Sequence, residues 1–504
     1  MERERVTPGT TGAGARAGRE RVSAGYLTLY LALSLPIILS LFLVLIEGAR
    51  MNAVRMQIEL AADAAMNSVL GEFHRELLRQ YDLFFVDASF GTDAPSDQRV
   101  EEHLREYMAR NFESTGLLPL GSRKSFTALS VQDLHLTGTR YAVDQSAAAL
   151  REQITAYMLA DPVGERLSGL LATVRSYEDA SLDESEWERR KADNDREMAE
   201  LRGRAEELRV RKEAEGERVP SGEYEDPAQN TNSFRGRLAL YQVLGSAYSV
   251  SEASAELPAL LSHREVHEGT GLVPENIHGY GQAGRLLFDE YILEKCSHYR
   301  HALGKGLLSY QAEYILFGRE ADETNLNKMA SRLLMLRAAA CCAHLFSDEE
   351  KQTEAEGLAT VVSCVLLVPE MMEVMKTAIL LAWAYVEGLQ DVKTLFAGGR
   401  VPLLKDSENW KTTMFSIFAP GVCTKGEKGG SGFSYEDYLR VFLFFMKDAD
   451  KSRRLMDVME MDIRCTEGNQ NFRMDWCLDG FGMEASAASG FGYEYTIRRE
   501  LSYN

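Results

Sequence analysis

Cysteine, basic residues and catalytic motifs are all scarce in this sequence of 504 residues, and each scarcity excludes a class of protein. Its seven cysteines are too few for the dense disulfide framework of a small secreted module. Lysine and arginine number 56 against 76 aspartates and glutamates, so the formal net charge is −20. An acidic body argues against nucleic acid as the main partner, because neutralising phosphates requires clustered basic side chains.

The sequence also lacks the familiar signatures of catalysis. The glycine-rich stretch 425–433, KGEKGGSGF, does not have the G-x-x-x-x-G-K-[ST] spacing of a phosphate-binding loop, and it predicts a flexible surface loop. No G-x-S-x-G elbow occurs, and pairs of carboxylates arise by chance in so acidic a chain. We therefore expect a non-enzymatic protein without a cofactor, and an anchored enzyme is the least favoured alternative.

Two short patterns resemble metal sites but lack the features that a site needs. HREVH places His263 and His267 four residues apart, on one face if the segment is helical, yet no third ligand is indicated. CCAH supplies Cys341, Cys342 and His344, but adjacent residues diverge by about 100° on a helix and do not share a metal. We predict surface histidines and a buried helix at these places, and no metal site.

The cysteines allow one disulfide hypothesis. Cys465 and Cys477 are spaced so that they can pair on a C-terminal loop, and buried or free thiols are the alternative. The remaining cysteines are Cys296, Cys341, Cys342, Cys364 and Cys423.

The chain has one long uncharged stretch near its start, from Tyr26 to Ile46. These 21 residues would span about 31 Å as a helix, close to the thickness of a bilayer's hydrocarbon core. The apolar region of a secretory signal is usually about 7–15 residues, and Glu47 occupies a place where signal cleavage prefers a small residue. The stretch therefore predicts a retained transmembrane helix, in which Pro36 is tolerable.

The flanks of this helix predict its orientation and its continuation. The arginine-bearing tail 1–25 should stay in the cytoplasm, so that everything after about residue 47 lies outside the cell. Beyond the membrane, apolar residues recur three or four positions apart, which predicts about 30 further residues of amphipathic helix. These residues are Val54, Ile58, Ala61, Ala65, Val69 and Phe73.

The rest of the chain is predicted to be mostly helical. Residues 144–215 are helical in pattern. From Asp183 to Glu215 charge of both signs dominates, which favours either a solvated helical arm or short coiled coil, or a single exposed helix packed on one edge. The apolar segment 358–389 is interrupted by charged residues and predicts core helices instead of a second span. Strands are predicted at 128–138, at EYILFG (313–318) and in the C-terminal SGFGYEYTIRRELSY.

These observations predict a mainly α (α+β) fold, with a transmembrane helix that extends into an amphipathic, pilin-like helix. The predicted segments are a basic cytoplasmic tail (1–25), the transmembrane helix (26–46), a pilin-like helix with a small α+β region (47–143), a charged helical arm (144–216), a linker (217–233) and a large, mostly helical extracytoplasmic domain with a C-terminal strand (234–504).

The N-terminal segment AGYLTLYLALSLPIILSLFLVLIEGARMNA resembles that of TadE/TadG-like pseudopilin proteins. The likeness rests on a glycine before the apolar run, a central proline, and an acidic residue followed by a Gly/Ala-Arg step. In this chain those residues are Gly25, Pro36, Glu47, Gly48 and Arg50.

The wider chain resembles an uncharacterised family of single-pass membrane proteins from Gram-positive bacteria, which has no established activity. The segments that carry this second resemblance are RELLRQYDLFFVD (75–87), AEYILFGREADETNL (312–326), AILLAWAYVEGLQDVKTLFAGGRVPLLK (378–405) and SYEDYLRVFLFF (434–445).

The first resemblance implies a role in the assembly or structure of a tight-adherence or Flp-type pilus. It implies processing between Gly25 and Tyr26, although Tyr30 stands where type IV prepilins carry a glutamate, and an uncleaved anchor is the alternative. Helix packing would use the small residues Ala49, Ala53, Ala61 and Ala65, unless these pack against the protein's own domain.

The expected partners are the lipid bilayer, pilus or pseudopilin subunits and other envelope proteins, and not nucleic acid. The alternative function is a membrane-anchored extracytoplasmic sensor or binding module unrelated to pili, which a pocket lined by aromatic residues within 280–460 would favour.

Overall fold

The structure is a computed structural model. It describes residues 13–92, 94–113, 128–160, 164–216, 228–246, 248–272, 281–304, 306–363, 370–422, 426 and 429–503.

The described chain is mostly helical, with a small antiparallel sheet, so the predicted mainly α (α+β) class is confirmed. The helices are α1 (Ala13–Leu70), α2 (Arg75–Tyr81), α3 (Asp97–Glu113), α4 (Asp144–Ala160), α5 (Gly164–Ala180), α6 (Glu186–Ala214), α7 (Gln229–Arg235), α8 (Ala239–Leu244), α9 (Gln282–Lys295), α10 (Gln311–Phe317), α11 (Asp322–Leu345), α12 (Glu349–Ser363), α13 (Met371–Phe396), α14 (Tyr435–Phe444) and α15 (Asp448–Arg464). The strands are β1 (Val86–Asp87), β2 (Leu129–Tyr141), β3 (Cys477–Ser489) and β4 (Glu494–Ser502).

The chain folds as two compact units. The small unit contains the described parts of Met1–Glu72, Asp97–Gly138 and Phe481–Leu501. The large unit contains those of Phe73–Ser96, Thr139–Gly480 and Ser502–Asn504.

In the small unit, the second half of α1 packs against α3 and the sheet. Val54, Ile58, Ala61, Ala65 and Val69 of α1 are buried, as their three- and four-residue spacing predicts. The last residue of the predicted series, Phe73, is not part of the helix, because α1 ends at Leu70. Helix α3 contributes Val100, Leu104, Met108 and Phe112 to the same core, and β3 contributes Phe481, Met483, Ala485 and Ala487. Burial alternates only in the second half of β3, from Met483 to Ser489, which is the two-residue period of a strand with one covered face, whereas Cys477–Met483 are all buried.

β3 is the central strand and hydrogen-bonds to each of the other strands. In the small unit, a hairpin joins β3 to β4, where the Ser489 amide donates to the Tyr493 carbonyl at 2.7 Å. In the large unit, β1 pairs antiparallel with the start of β3, with Val86 opposite Leu478 and Asp87 opposite Cys477.

The large unit is organised around the crossing of α11 and α13. Trp383, Leu389 and Leu395 of α13 are buried here. The two backbones approach so closely at Gly388 that a Cβ atom there would lie 2.8 Å from the amide nitrogen of Ala338. Glycine is therefore required at this position by close packing and not by a turn.

Several predictions about local structure are confirmed and others are wrong. The strand at 128–138 and the C-terminal strand correspond to β2 and β4. Of the segment 358–389, residues 358–363 belong to α12 and 371–389 to α13, and 364–369 lie outside the described residues. Helix α13 is a core helix as predicted, whereas Val361 of α12 is 69% exposed, so the prediction of a core helix is wrong there. EYILFG is not a strand, because it forms the short helix α10, which ends at Gly318 in the left-handed conformation. Of the predicted linker, residues 217–227 lie outside the described residues, and the rest belongs largely to α7.

The charged segment around α6 behaves as a helix packed along one edge. Its first half buries Trp187, Lys191, Asn194, Met198 and Leu201, while exposed residues dominate after Leu201. The indole N–H of Trp187 donates to the Leu381 carbonyl at 2.9 Å, which ties α6 to α13.

Candidate functional site

The apolar part of α1 is a surface without a cover. Its most apolar window of 18 residues has a mean hydropathy of 2.7, and none of it is buried. Among the described residues, α1 is the single helix that is long and apolar enough to cross a membrane. The pair α11 and α12 passes the same test jointly, but these two helices are bent by 94°. Exposure of an apolar surface of this length to water is energetically unfavourable, so this part of α1 is expected to bind lipid or another protein and is the first candidate for a functional element.

The residues predicted to act along α1 lie in different environments. Gly25 and Tyr26 are both inside the helix, so Gly25 is not a loop residue before it. Ala49 is exposed and Ala53 is half-buried, whereas Ala61 and Ala65 are buried in the core of the small unit. Ala49 is thus the member of the predicted packing set that stands open to a partner.

Beyond residue 46, polar contacts hold α1 on the sheet. The Tyr495 hydroxyl donates to Glu59 at 3.4 Å, and the Arg499 guanidinium lies 3.3 Å from the carboxylate of Asp63. Arg55 donates to Glu59 at 3.0 Å, and this hydrogen bond lowers the pKa of the glutamate from its ordinary value. The hydrogen bond from Arg55 favours the charged form of Glu59, and the contacts together fix one face of the helix on β4.

The large unit contains a cavity of about 790 Å³ between α4, α5, α9, α14 and the turn at His298. It is lined by Tyr157, Met158, Ala160, Gly169, Leu170, Glu290, Leu293, Glu294, His298, His301, Glu436 and Arg440. Its lining residues within 280–460 are carboxylates, two histidines, a leucine and an arginine, so the aromatic lining that would favour a sensor is not what this cavity provides. Glu290 pairs with Arg440, and Glu294 lies 2.9 Å from Lys295. With these pairs counted, the negative charge at the cavity exceeds the positive charge by one carboxylate, Glu436. This excess suits a small polar ligand with positive charge.

A buried acid lies behind the His298 wall of this cavity. The Tyr435 hydroxyl donates to Glu313 at 2.6 Å, and the backbone amide of Tyr299 donates to the same oxygen at 3.0 Å. Burial raises the pKa of Glu313 to about 7, and burial together with His301 lowers the pKa of His298 to about 4. Both side chains are therefore shifted towards their neutral forms by loss of water.

A second cavity, of about 310 Å³, adjoins a strained turn at the start of α4. Gln145, Ser146 and Ala147 adopt left-handed backbone angles, with φ between 51° and 64°. Asp144 accepts hydrogen bonds from the amides of Tyr141 at 2.7 Å and Gly269 at 2.9 Å. Its carboxylate therefore fastens the turn to the neighbouring chain, which is a structural task.

The segment with His263 and His267 is not an α-helix, so the two rings do not share a helical face; His263 is exposed, as predicted, and His267 is half-buried. His263 ends a short 3₁₀ helix, and the chain that follows it is extended. The ring of His267 stacks on Trp476 with 3.6 Å between ring centres. Arg264, which lies between them, pairs with the buried carboxylates of Glu460 at 2.6 Å and Asp475 at 2.7 Å. No group of three potential metal ligands occurs in the part of the chain that the structure describes.

The cysteines are buried or free thiols where the structure describes them. Cys341 and Cys342 lie in the buried part of α11, and burial raises the pKa of each thiol. His344 of the same motif lies 3.4 Å from Asp348. Cys465 and Cys477 are both free, and Cys477 begins β3 instead of lying on a loop, so the proposed disulfide is wrong. Cys364 and Cys423 are outside the described residues.

Sequence reasoning missed a buried ionic cluster in the core of the large unit. Arg337 of α11 donates to Asp391 of α13 at 2.8 Å, and Lys405 lies 2.6 Å from Glu387 and 2.9 Å from Asp391. All four side chains are buried. Charged residues inside the long apolar run of α13 are the signal that would have found this cluster.

Comparison with known proteins identifies a family but no activity. Residues 217–489, just over half of the chain, match the family described as "Family of unknown function (DUF5702)". No curated protein and no solved structure matches the chain.

Proposed function

Because this chain belongs to DUF5702, a family of unknown function, its role must be argued from its own residues, and we propose that it is a pseudopilin-like envelope protein anchored by one membrane helix. In this proposal the protein is not an enzyme, and it takes part in the assembly or structure of a tight-adherence or Flp-type pilus. The TadE/TadG-like origin of the N-terminal segment and a Gram-positive source are part of the proposal.

One observation carries the proposal: a single continuous helix has two halves with opposite surroundings. The first half, Tyr26–Ile46, is exposed and uncharged, whereas the second half is buried on α3 and the sheet. A subunit that waits in the bilayer and later enters a filament needs this arrangement, because the same apolar surface can be covered by lipid and then by other helices.

The proposed topology follows from the flanks of the helix. The arginines of the N-terminal tail keep that tail in the cytoplasm, and the small and large units lie outside the cell membrane. Pilus or pseudopilin subunits and other envelope proteins are the proposed partners of the membrane helix, with Ala49 at the point of closest approach.

Site-specific photocrosslinking in the native membrane tests the proposal. A benzoylphenylalanine residue at Ala49 should capture a pilus or pseudopilin subunit, because Ala49 is exposed just beyond the span. The matched control is the same residue at Phe415, which is 64% exposed in the large unit and should capture no such subunit. Capture of lipid alone at position 49, together with intact surface filaments after deletion of the gene, would contradict a role in pili.

The intact mass of the protein extracted from its membrane decides the processing question. A chain that begins at Tyr26 would support prepilin-type cleavage after Gly25, despite Tyr30. A chain that begins at Met1 would support a permanent anchor. The protein would then take part in pilus assembly without being cleaved.

The cavity in the large unit lacks the predicted aromatic lining, but its volume and polar lining are compatible with the second candidate function, a membrane-anchored sensor or binding module. Its acidic lining suits a small organic cation, for which putrescine is a simple probe. If this function is correct, putrescine should raise the melting temperature of the full chain in detergent, and Glu294→Gln with Glu436→Gln should abolish the rise. An unchanged melting temperature in the unaltered chain would remove the basis for this candidate.

A further inference from the structure

The hairpin between β3 and β4 has an exposed aromatic side chain at its tip. Phe491 is 48% exposed, although it lies against the guanidinium of Arg50 with 4.0 Å from Cζ to the ring centre. We propose that this tip is a second membrane contact, which inserts Phe491 into the headgroup layer beside the point where α1 leaves the bilayer. The proposal rests on the membrane anchoring proposed above and adds a site to it.

Three contacts fix the direction of the hairpin along α1. Arg50 meets Phe491, Arg55 lies over the ring of Tyr495 at 5.6 Å, and Asp63 pairs with Arg499 at 3.3 Å. Residue numbers rise together on both elements, so β4 and α1 run in the same direction. Because α1 leaves the membrane at about Ile46, the hairpin tip is the end of the sheet that faces the bilayer.

The height of the tip above the hydrocarbon core follows from helix geometry. Arg50 is four residues beyond Ile46, which at about 1.5 Å per residue is about 6 Å. The Phe491 ring in contact with Arg50 is then within the headgroup region, which occupies roughly the outer 5–10 Å of a leaflet. Tyr495, which lies beside Glu59, is about 20 Å beyond Ile46 by the same measure and is clear of this region.

The chemistry of the tip suits that layer. An aromatic ring tolerates the boundary between water and acyl chains, and a guanidinium pairs with lipid phosphate, so Phe491 and Arg50 together match the two components of the interface. The tip is also held in place within the small unit. The Gly490 amide donates to the Ala128 carbonyl at 2.9 Å, and Gly492 takes a positive φ of 89° that closes the turn.

A second contact would limit how far the small unit tilts relative to the membrane plane. One helix alone leaves the body free to tilt about the point of exit, whereas a helix and a hairpin tip define a fixed orientation. The proposed partner is therefore the bilayer itself, recognised through phosphate headgroups and the upper acyl chain.

Tryptophan fluorescence of the full chain in lipid nanodiscs tests this inference. Phe491→Trp should lose roughly half of its added emission when the lipids carry bromine on their upper acyl carbons, because an interfacial side chain lies within about 10 Å of them. Tyr495→Trp, on the same strand, is the matched control and should keep its emission. The unaltered chain, which has four tryptophans, provides the background to subtract.

A third variant separates failure of this inference from failure of the anchoring on which it rests. Phe42→Trp places the probe inside the proposed span and should be quenched strongly. Quenching at position 42 without quenching at position 491 would overturn the hairpin contact and leave the anchor in place. Absence of quenching at both positions would overturn both. A blue shift of the Phe491→Trp emission that grows with protein concentration in lipid-free detergent would assign the tip to a second copy of the chain and would also overturn the proposal.

Discussion

The apolar part of α1 and helix α13 are similar in length and both rich in apolar residues, yet they occupy opposite environments. Twenty of the 26 residues of α13 are buried, whereas the apolar window of α1 is exposed throughout. The difference lies in where charge is placed. α13 contains Glu387 and Asp391, which Lys405 and Arg337 neutralise inside the large unit, and Tyr26–Ile46 contains no charge at all. An apolar helix whose few charges are paired with buried counter-ions is suited to a protein core. An apolar helix without charge and without packing partners needs lipid or other helices around it.

The largest expected effect comes from removing a counter-ion of α13. Arg337→Leu should lower the free energy of unfolding by about 3 kcal/mol, because Asp391 then remains buried without its two guanidinium hydrogen bonds and keeps the Lys405 ammonium, 2.9 Å away, as its cationic partner. Denaturant titration of the chain in detergent, followed by circular dichroism, measures this change. The double variant Arg337→Leu, Asp391→Leu should recover much of the loss, because Lys405 still has Glu387 as its partner. A double variant as unstable as the single one would show that the lost pairing of Asp391 with Arg337 is not the cause.

Placing a charge in α1 tests the other half of the comparison. Leu39→Lys should weaken insertion of the span by roughly 2.5–3.5 kcal/mol, because lysine at the centre of a membrane helix must leave water without a partner. The fraction of the chain that resists carbonate extraction from membranes should fall. Leu39→Ala is the matched control and should remain membrane-bound, while complete retention of the lysine variant would contradict a spanning role for this segment.

The free energy of unfolding, measured as a function of pH, tests the buried carboxyl group of Glu313. Its described hydrogen-bond donors, the Tyr435 hydroxyl and the Tyr299 amide, are neutral. Burial raises the pKa of Glu313 to about 7 from an ordinary value of 4.5, so the folded state binds a proton that the unfolded state releases. The contribution of Glu313 to the free energy of unfolding is therefore fully present below pH 4.5 and is lost as the pH rises towards 7, by at most about 3 kcal/mol.

The variant that isolates this effect is Glu313→Gln. The slope of its free energy of unfolding between pH 5 and pH 8 should become smaller but not vanish, because burial also raises the pKa of Asp289 to about 7. Glu294→Gln, at a more exposed position, should leave the slope unchanged. An unchanged slope in the Glu313→Gln variant would assign the pH dependence to other groups.

Two glycine substitutions should have opposite effects in the two helices. Gly388→Ala should cost about 1–3 kcal/mol, because the added methyl group meets the backbone of Ala338 at 2.8 Å. Gly48→Ala in α1 meets no atom within 4 Å and should stabilise the helix by up to about 1 kcal/mol. Thermal unfolding of both variants measures the difference, and a destabilising Gly48→Ala would indicate that a partner covers that face.

Sequence patterns were sufficient where the spacing of apolar residues, or a long run without charged residues, determines the local structure. The spacing from Val54 to Val69 predicted the buried face of α1, and the uncharged run from Tyr26 predicted a helix with an exposed apolar surface. They failed where partners distant in sequence decide. EYILFG resembles a strand, but burial of Glu313 and Tyr314 against α14 and α15 makes it a helix.

The candidate sites were harder to predict because they depend on tertiary geometry. HREVH has the spacing of two ligands on a helix, yet Arg264 is drawn to Glu460 and Asp475, and His267 stacks on Trp476. Likewise, the contact between Arg50 and Phe491 joins residues 441 positions apart. No local pattern contains this information, since it arises only when β4 is placed beside α1.

The smallest expected effect marks the boundary between the two kinds of surface within α1. Met56 is 62% exposed and Ile58 is fully buried, although only one residue separates them. Met56→Gln should change the free energy of unfolding by less than about 0.5 kcal/mol, because water already surrounds the side chain. Ile58→Val should cost about 0.5–1.5 kcal/mol through the methylene that it loses from the core. A loss above about 1 kcal/mol for Met56→Gln in detergent would mean that the side chain of Met56 is already buried against another group in the isolated protein. The exposed surface of α1 would then not extend beyond the proposed membrane span.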